Sequence, residues 1–291
     1  MFKGINTPIV TPFKGDNFEI DYDSLSNLIE FQISSGIDGI TVCGTTGESS
    51  TLTETEWRDV VDFSIKQIKK RVPVVVGSGT NSTEKTISLT KTAKELGADG
   101  VLLVSPYYNK PTQEGLFQHF SKVSSSVGIP IILYDILGRT GIEIAKDTYR
   151  RLSSDKNVVG VKVSTISGEK LLDVKSVAAS HWEVFAGDDS MTYFVLAGGG
   201  AGAISASANV IPRQMKDIVT LWNKGDFNSA LLKQIELLPV INSFFVETNP
   251  TPVKFALKKL GIIKNDLVRM PLSPLQEESK KIVESNIANL N

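Results

Sequence analysis

Eight short apolar runs alternate with amphipathic helical segments between residues 1 and 224 of the 291-residue sequence, and this alternation predicts a (β/α)8 TIM barrel. Two further features favour that fold. Helical segments end in glycine and drop straight into an apolar strand at Gly36–Gly39, Gly97–Gly100 and Gly198–Gly202. The competing arrangement, an open doubly wound sheet, usually carries a glycine-rich phosphate loop after its first strand, and none is present. Strand signals stop near Gly225. The sequence therefore divides into a barrel, residues 1–224, and a C-terminal domain of three helices, residues 225–291.

The elements follow in order. Ile5 to Thr11 is an apolar first strand broken by Pro8 and Pro12. A helix with Leu25, Leu28, Ile29 and Ile33 on one face comes next, closed by Gly36. Gly39 to Cys43 is the second strand. Thr53 to Glu56 spells a capping box opening a helix whose inner face is Trp57, Val60, Val61, Ile65 and Ile68. Val72–Val76, Val101–Val104, Ile129–Tyr134, Val158–Val163, Trp182–Phe185 and Gly202–Ser205 read as the remaining strands. Between them fall helices at Thr83–Leu96, around Leu116 to Val123, at Ile144–Leu152, Gly168–Ala178 and Ser190–Leu196, with Pro212–Trp222 after the last strand. The tail reads as Phe227–Phe245 with a kink at Pro239, Pro252–Leu260 stopped by Gly261, and a last helix to about Leu290. Ser273-Pro274-Leu275-Gln276 is read as the cap of that last helix.

Bulk properties remove several function classes. Lys and Arg number 31 against 32 Asp and Glu, a net charge of −1, so no electrostatic footprint for nucleic acid or anionic membrane is expected. No segment has the length of a membrane span, and Met1-Phe2-Lys3-Gly4 lacks the apolar run of a signal peptide. The single Cys43 forms no internal disulfide, which fits a reducing, cytoplasmic location. With two histidines, no HExxH and no CxxC, neither a His- or Cys-ligated metal nor a Ser-His-Asp triad is expected. Chemistry must lean on Lys, Tyr, Thr, Asp, Glu or Arg.

One residue breaks its surroundings. Lys162 is set in the β-branched run Val158–Val163, which reads as a strand buried on both faces. Burying an ammonium without a partner costs several kcal/mol. A lysine held neutral escapes that cost and is nucleophilic toward carbonyls. On the strand alone, the better reading is a strand-end lysine snorkelling to solvent or paired with an acid. The other strand ends shift the balance. In a barrel the active site lies where strands end. Those ends carry Gly44-Thr45-Thr46-Gly47-Glu48-Ser49, Pro106-Tyr107-Tyr108-Asn109, Tyr134, Lys162, Gly187-Asp188-Asp189 and Ser205. An amine, phenols and paired hydroxyls on one rim are what a Schiff-base aldolase acting on a keto acid needs. Asp188-Asp189 resembles a metal pair but is read as loop and helix-cap chemistry.

With Gly138-Arg139-Thr140-Gly141 and Asn249-Pro250-Thr251-Pro252-Val253-Lys254 added, these motifs resemble the dihydrodipicolinate synthase / N-acetylneuraminate lyase family, from Phe2 to the last helix. The resemblance is greatest to the branch that condenses pyruvate with L-aspartate 4-semialdehyde in lysine and diaminopimelate biosynthesis. It implies that Lys162 forms the imine with pyruvate and that Tyr134 is the general acid/base. It also implies that Thr45 links Tyr134 to a Tyr108 reaching in from a neighbouring subunit. Thr46, Gly187 and Ile204, with the Thr45 backbone, would bind pyruvate. Arg139 would hold the semialdehyde carboxylate, a task suited to a planar bidentate donor. A homo-oligomer, a tetramer, is implied too, and the chemistry needs no cofactor and no metal. A sister aldolase acting on a sugar acid or hydroxy-oxo-acid, and a keto-acid-binding regulatory barrel without turnover, are the alternatives.

Two departures from the family pattern flank the expected pocket. Asp135-Ile136-Leu137 replaces the usual Asn-Val-Pro after the tyrosine, and Val163 replaces the common acidic residue after the lysine. The family's lysine feedback site is matched by Ser49, Asn81 and Tyr107. Glu54 and Trp57 stand where histidines are usual, and Lys85 stands where a glutamate pairs with the inhibitor's ammonium.

Overall fold

The computed structural model describes residues 2–288. Eight parallel strands close into a barrel: β1 (Gly4–Pro8), β2 (Gly39–Val42), β3 (Val74–Gly77), β4 (Gly100–Val104), β5 (Ile131–Asp135), β6 (Val158–Val163), β7 (Glu183–Ala186) and β8 (Gly202–Ile204). Each pairs with its neighbours in sequence, and β8 returns to β1 with Gly4 opposite Gly202. The helices between them are α1 (Tyr22–Ser34), α2 (Glu54–Ile68), α3 (Thr83–Leu96), α4 (Gln113–Val127), α5 (Lys146–Leu152), α6 (Gly168–Val177) and α7 (Thr192–Ala197), followed by α8 (Pro212–Asn223). The expected barrel is therefore present, and most element ends lie within one or two residues of the sequence reading.

Local chemistry explains the elements. The Thr53 hydroxyl accepts from the Glu56 amide, and the Glu56 carboxylate accepts from the Thr53 amide, the capping box read from the sequence. Gly97 ends α3 at φ +96°, a conformation that favours glycine. The outward faces of the strands and inward faces of the helices form the main core. Phe2, Val75, Leu102, Ile132, Tyr134, Phe185 and Ile204 fill the barrel itself.

A register shift between β5 and β6 sets the direction of the lysine strand. Ile131 lies opposite Val158 but Ile132 lies opposite Gly160, so Val159 is an extra residue. Val158, Val161 and Val163 pack outward into the main core, while Val159 packs against the barrel interior. Beyond the shift, Tyr134 lies opposite Lys162. Because strand side chains alternate, a slip of one residue would exchange the two faces of β6.

The tail comprises α9 (Phe227–Ser243), which runs on through Pro239, then α10 (Thr251–Lys259) and α11 (Glu277–Ile287). One expectation fails here. Ser273–Gln276 does not form the start of α11; the helix begins at Glu277 with Gln276 as its cap residue and no side-chain cap bond. Ser273 to Gln276 stays outside any helix because Leu275 is buried and the Gln276 amide is taken by the Glu247 carboxylate. The reading of the helix as far as Leu290 falls outside the described residues. A small hairpin, Phe13–Lys14 with Glu19–Ile20, was not expected from sequence.

His119 on α4 is 5 % exposed, with Nδ1 2.9 Å from the Thr83 hydroxyl. Burial pulls its imidazole down to about 4. The unfolded chain therefore binds a proton that the folded chain refuses, so stability is full above the unfolded pKa of about 6.5 and is lost as pH falls toward 4. His119→Phe should remove about 2–3 kcal/mol of that acid-induced loss. Denaturant unfolding of both proteins at pH 7 and pH 4.5 measures it.

Candidate active site at the C-terminal rim

A cavity of about 350 Å³ opens at the strand C-termini, and the sequence-predicted residues Thr45, Thr46, Tyr134, Arg139, Lys162 and Gly187 all line it. The register of β5 and β6 brings Tyr134 and Lys162 side by side, with the lysine Nζ 4.2 Å from the centre of the tyrosine ring. Both are buried, at 5 % and 6 % exposure. Lys162 has no salt-bridge partner among the described residues, so the snorkelling and ion-paired readings of this lysine lose their support. Gly187 follows β7 against this amine. A Cβ there would stand 2.3 Å from Ser164 Oγ and 3.0 Å from Lys162 Cε, so only glycine leaves room for the lysine stem.

The threonine pair sits on the turn that leaves β2. Gly47 N donates to Gly44 O and Glu48 N to Thr45 O, each at 3.0 Å, which folds Gly44–Glu48 into a compact loop. Thr46 is buried and its hydroxyl accepts from Asn249 Nδ2 at 2.9 Å. Arg139, in the single helical turn Leu137–Thr140 after β5, donates to Asn249 O at 3.2 Å. The sequence reading quoted the Asn249 motif without giving this residue a role. Its contacts with Thr46 and Arg139 span 203 and 110 positions, a separation no local pattern reveals. Ser164, two residues past Lys162, also lines the cavity, and its Oγ has no partner among the described residues.

Two predicted residues are placed elsewhere. Tyr108 is 89 % exposed at φ +72° and does not line the cavity of its own chain. Ile204 packs inside the barrel with Tyr134 and is not on the cavity wall, where Ala206 stands. Asp188 and Asp189 behave as cap and loop residues. Asp188 accepts from the Ser190 amide, and the fully buried Asp189 accepts from the Ser207 amide. Burial raises Asp189, and Ser207 opposes that. No cluster of three or more His, Cys, Asp or Glu suited to a metal occurs among the described residues.

The departure at Asp135 has its own support. The carboxylate is buried on the outer side of β5, accepting from Tyr149 OH at 2.5 Å and the Ile144 amide at 3.2 Å. Lys170 Nζ lies 3.2 Å away. Burial pushes Asp135 above its usual range and the Lys170 charge opposes the rise; burial and Asp135 together drive Tyr149 well above 10. A second cavity lies beside the first and shares Thr45 and Arg139 with it. Its wall includes Ser49, Glu54, Trp57, Asn81, Lys85 and Tyr107. Lys85 Nζ is 3.3 Å from the Glu54 carboxylate, and the Trp57 indole donates to Gly77 O.

A closed (β/α)8 barrel with an amine, a phenol, paired threonines and a guanidinium on its catalytic rim defines a barrel enzyme of the lyase/aldolase kind. Comparisons with known proteins agree and narrow it. The model of the dihydrodipicolinate synthetase family matches residues 1–290. A 4-hydroxy-tetrahydrodipicolinate synthase of Syntrophus aciditrophicus (strain SB) is 46 % identical over 289 residues, 99 % of this chain and 98 % of that one. The crystal structure of dihydrodipicolinate synthase from Aquifex aeolicus superposes with a TM-score of 0.97 at 41 % identity, covering 100 % of this chain and 98 % of that one. A solved structure described as the first monomeric dihydrodipicolinate synthase variant gives 0.96 at 40 % identity, covering 99 % and 96 %. The chain belongs to the dihydrodipicolinate synthetase family.

The support for Asp135 is testable. Lys170→Met leaves a buried carboxylate without its cation and should cost on the order of 3 kcal/mol. Asp135→Asn combined with Lys170→Met should recover most of that loss, as read from denaturant midpoints of the three proteins.

Proposed function

We propose that the chain condenses pyruvate with L-aspartate 4-semialdehyde, the reaction of a 4-hydroxy-tetrahydrodipicolinate synthase in lysine and diaminopimelate biosynthesis. The observation that carries the reading is the buried Lys162 amine standing over the Tyr134 ring, in register on adjacent strands. In this mechanism the Lys162 amine attacks the keto carbon of pyruvate and water leaves as the imine forms. Tyr134 relays the protons gained and lost at nitrogen and oxygen, and Thr45, which lines the same cavity, joins it in the relay. Loss of a methyl proton gives the enamine, whose carbon bonds to the aldehyde carbon. The semialdehyde's own amine then displaces Lys162 and closes the ring.

Thr46 and neighbouring backbone amides receive the pyruvate carboxylate, Gly187 gives the imine its space, and Ile204 backs the barrel interior. Arg139 receives the carboxylate of the semialdehyde; its link to Asn249 O leaves further donors free for a bidentate contact. This favours the semialdehyde over a sugar acid, which would bring hydroxyls to the same place. The barrel of residues 1–224 supplies the chemistry, and the helical part, 225–291, closes one side of the site through Asn249. Tyr108, exposed and outside the lining of its own cavity, is assigned to the site of a neighbouring copy in a homo-oligomer, a tetramer by family resemblance. No helix of the described residues is long and apolar enough to cross a membrane. We place the enzyme in the cytoplasm.

Borohydride reduction in the presence of pyruvate, followed by peptide mapping, should give a pyruvate-sized adduct on Lys162. No adduct, or an adduct on another lysine, overturns the mechanism. Turnover with the semialdehyde in a coupled assay then separates the synthase from a sister aldolase.

Lys85 in the second cavity repels an incoming ammonium, and its neighbour Glu54 is already paired to it. Free L-lysine should therefore inhibit weakly or not at all. Half-inhibition of the initial rate at submillimolar lysine contradicts this.

A further inference from the structure

We infer that Glu48 and Lys254 are positioning residues for the keto-acid site, a buried ionic clamp by which the C-terminal helices hold the Thr45–Thr46 loop in its binding geometry. The inference rests on the reading of Thr46 as a pyruvate-carboxylate contact. It concerns residues that touch neither cavity.

Glu48 closes the Gly44–Glu48 loop at φ +52°, a conformation glutamate adopts only when its surroundings hold it there. It is 3 % exposed and points away from the cavity into the seam between β2 and the C-terminal helices. Its Oε1 meets Lys254 Nζ at 2.5 Å, and its Oε2 accepts from the Arg269 amide at 2.9 Å. Lys254, on α10, is fully buried; it also donates to Leu267 O at 2.7 Å and lies 4.0 Å over the Phe13 ring. Arg269 completes the node. Its guanidinium grips Glu56 at the start of α2 and donates to Thr51 O and Phe18 O.

Two contacts therefore reach the same five-residue loop from one stretch of chain. Asn249 holds Thr46 through its hydroxyl, and Lys254 holds Glu48 through its carboxylate. Between these anchor points the loop has few conformations left, and the hydroxyls stay fixed relative to Lys162.

Stability alone does not account for such a pair. Burial pulls Lys254 down to about 8 in spite of the neighbouring Glu48 charge, so the folded state holds this ammonium against a solvation penalty. Well-packed apolar residues commonly replace a buried pair without loss of stability, whereas a fixed ionic contact specifies one geometry. What Glu48–Lys254 specifies is the backbone course of the residue two positions after Thr46.

The test uses the full-length protein and pyruvate alone. The variants are Glu48→Gln, which keeps the shape and removes the charge, Lys254→Met, and the double variant. Half-saturating pyruvate for borohydride trapping of Lys162 should rise about tenfold in all three. Trapping at saturating pyruvate should reach the wild-type extent, because Lys162 and Tyr134 are untouched. The double variant should melt close to the wild type, since no unpaired charge remains. Wild-type half-saturation in Glu48→Gln, or recovery of it together with the melting temperature in the double variant, overturns the inference and leaves the pair structural. Should the double variant not fold, Glu48→Gln alone decides. Absence of any adduct in the wild-type protein is a different failure, and it strikes the proposed function.

Discussion

The site depends on one constraint, the pairing of Tyr134 with Lys162 across β5 and β6. It sets the distance between amine and ring, it puts both groups on the inner face, and it buries both at the mouth of the barrel. A parallel pairing of this kind is held by backbone hydrogen bonds on both sides of each strand, since β7 pairs with the far edge of β6. The sheet thus fixes where the lysine stem starts, and the packing along the stem carries the amine to the ring. Gly160, opposite Glu183, and Gly187, beside the lysine stem, allow the backbone and the side chain to pass where any Cβ would collide.

Around that pairing, supporting residues that differ from the family pattern carry partners of their own. Asp135 would be an unpaired charge beneath the site, but Tyr149, Lys170 and the Ile144 amide converge on it. Val163 sits on the outer face of β6 in the main core, where an apolar side chain is the natural occupant. Asp135 and Val163 therefore fall on the side of the strands away from the cavity, whereas Ile136 lines it. Lysine, tyrosine and the threonine pair line one cavity together, so the residues the proposed chemistry calls on are all at hand.

Much of the fold was readable because helix and strand periods and caps are local. The strand Val158–Val163 and the helix Thr83–Leu96 have in the structure the bounds their patterns indicate. The site was readable to the extent that its residues fall at strand ends, where barrel topology gathers them. What escaped the sequence is non-local or conformational. The extra residue at Val159 looks like one more valine in an apolar run. The grip of Asn249 on Thr46 joins segments 203 positions apart. The false cap at Ser273 has the right residue types, but burial of Leu275 and the bond to Glu247 keep that stretch out of the helix. Tyr108 carries no local sign of where its ring belongs.

Closure of the barrel has a bearing on how the chain is made. β1 pairs on one side with β2 and on the other with β8, whose residues lie about 200 positions later, and Asn209 bonds back to Pro8 and Val10. While the chain emerges from the ribosome, the outer edge of β1 has no strand to meet and stays an open edge able to pair with other chains. Even a closed barrel would still lack Asn249, Lys254 and Arg269, the late-made groups that hold the threonine loop. Competence to bind substrate thus arrives late in synthesis, after the last strand of the sheet has been made.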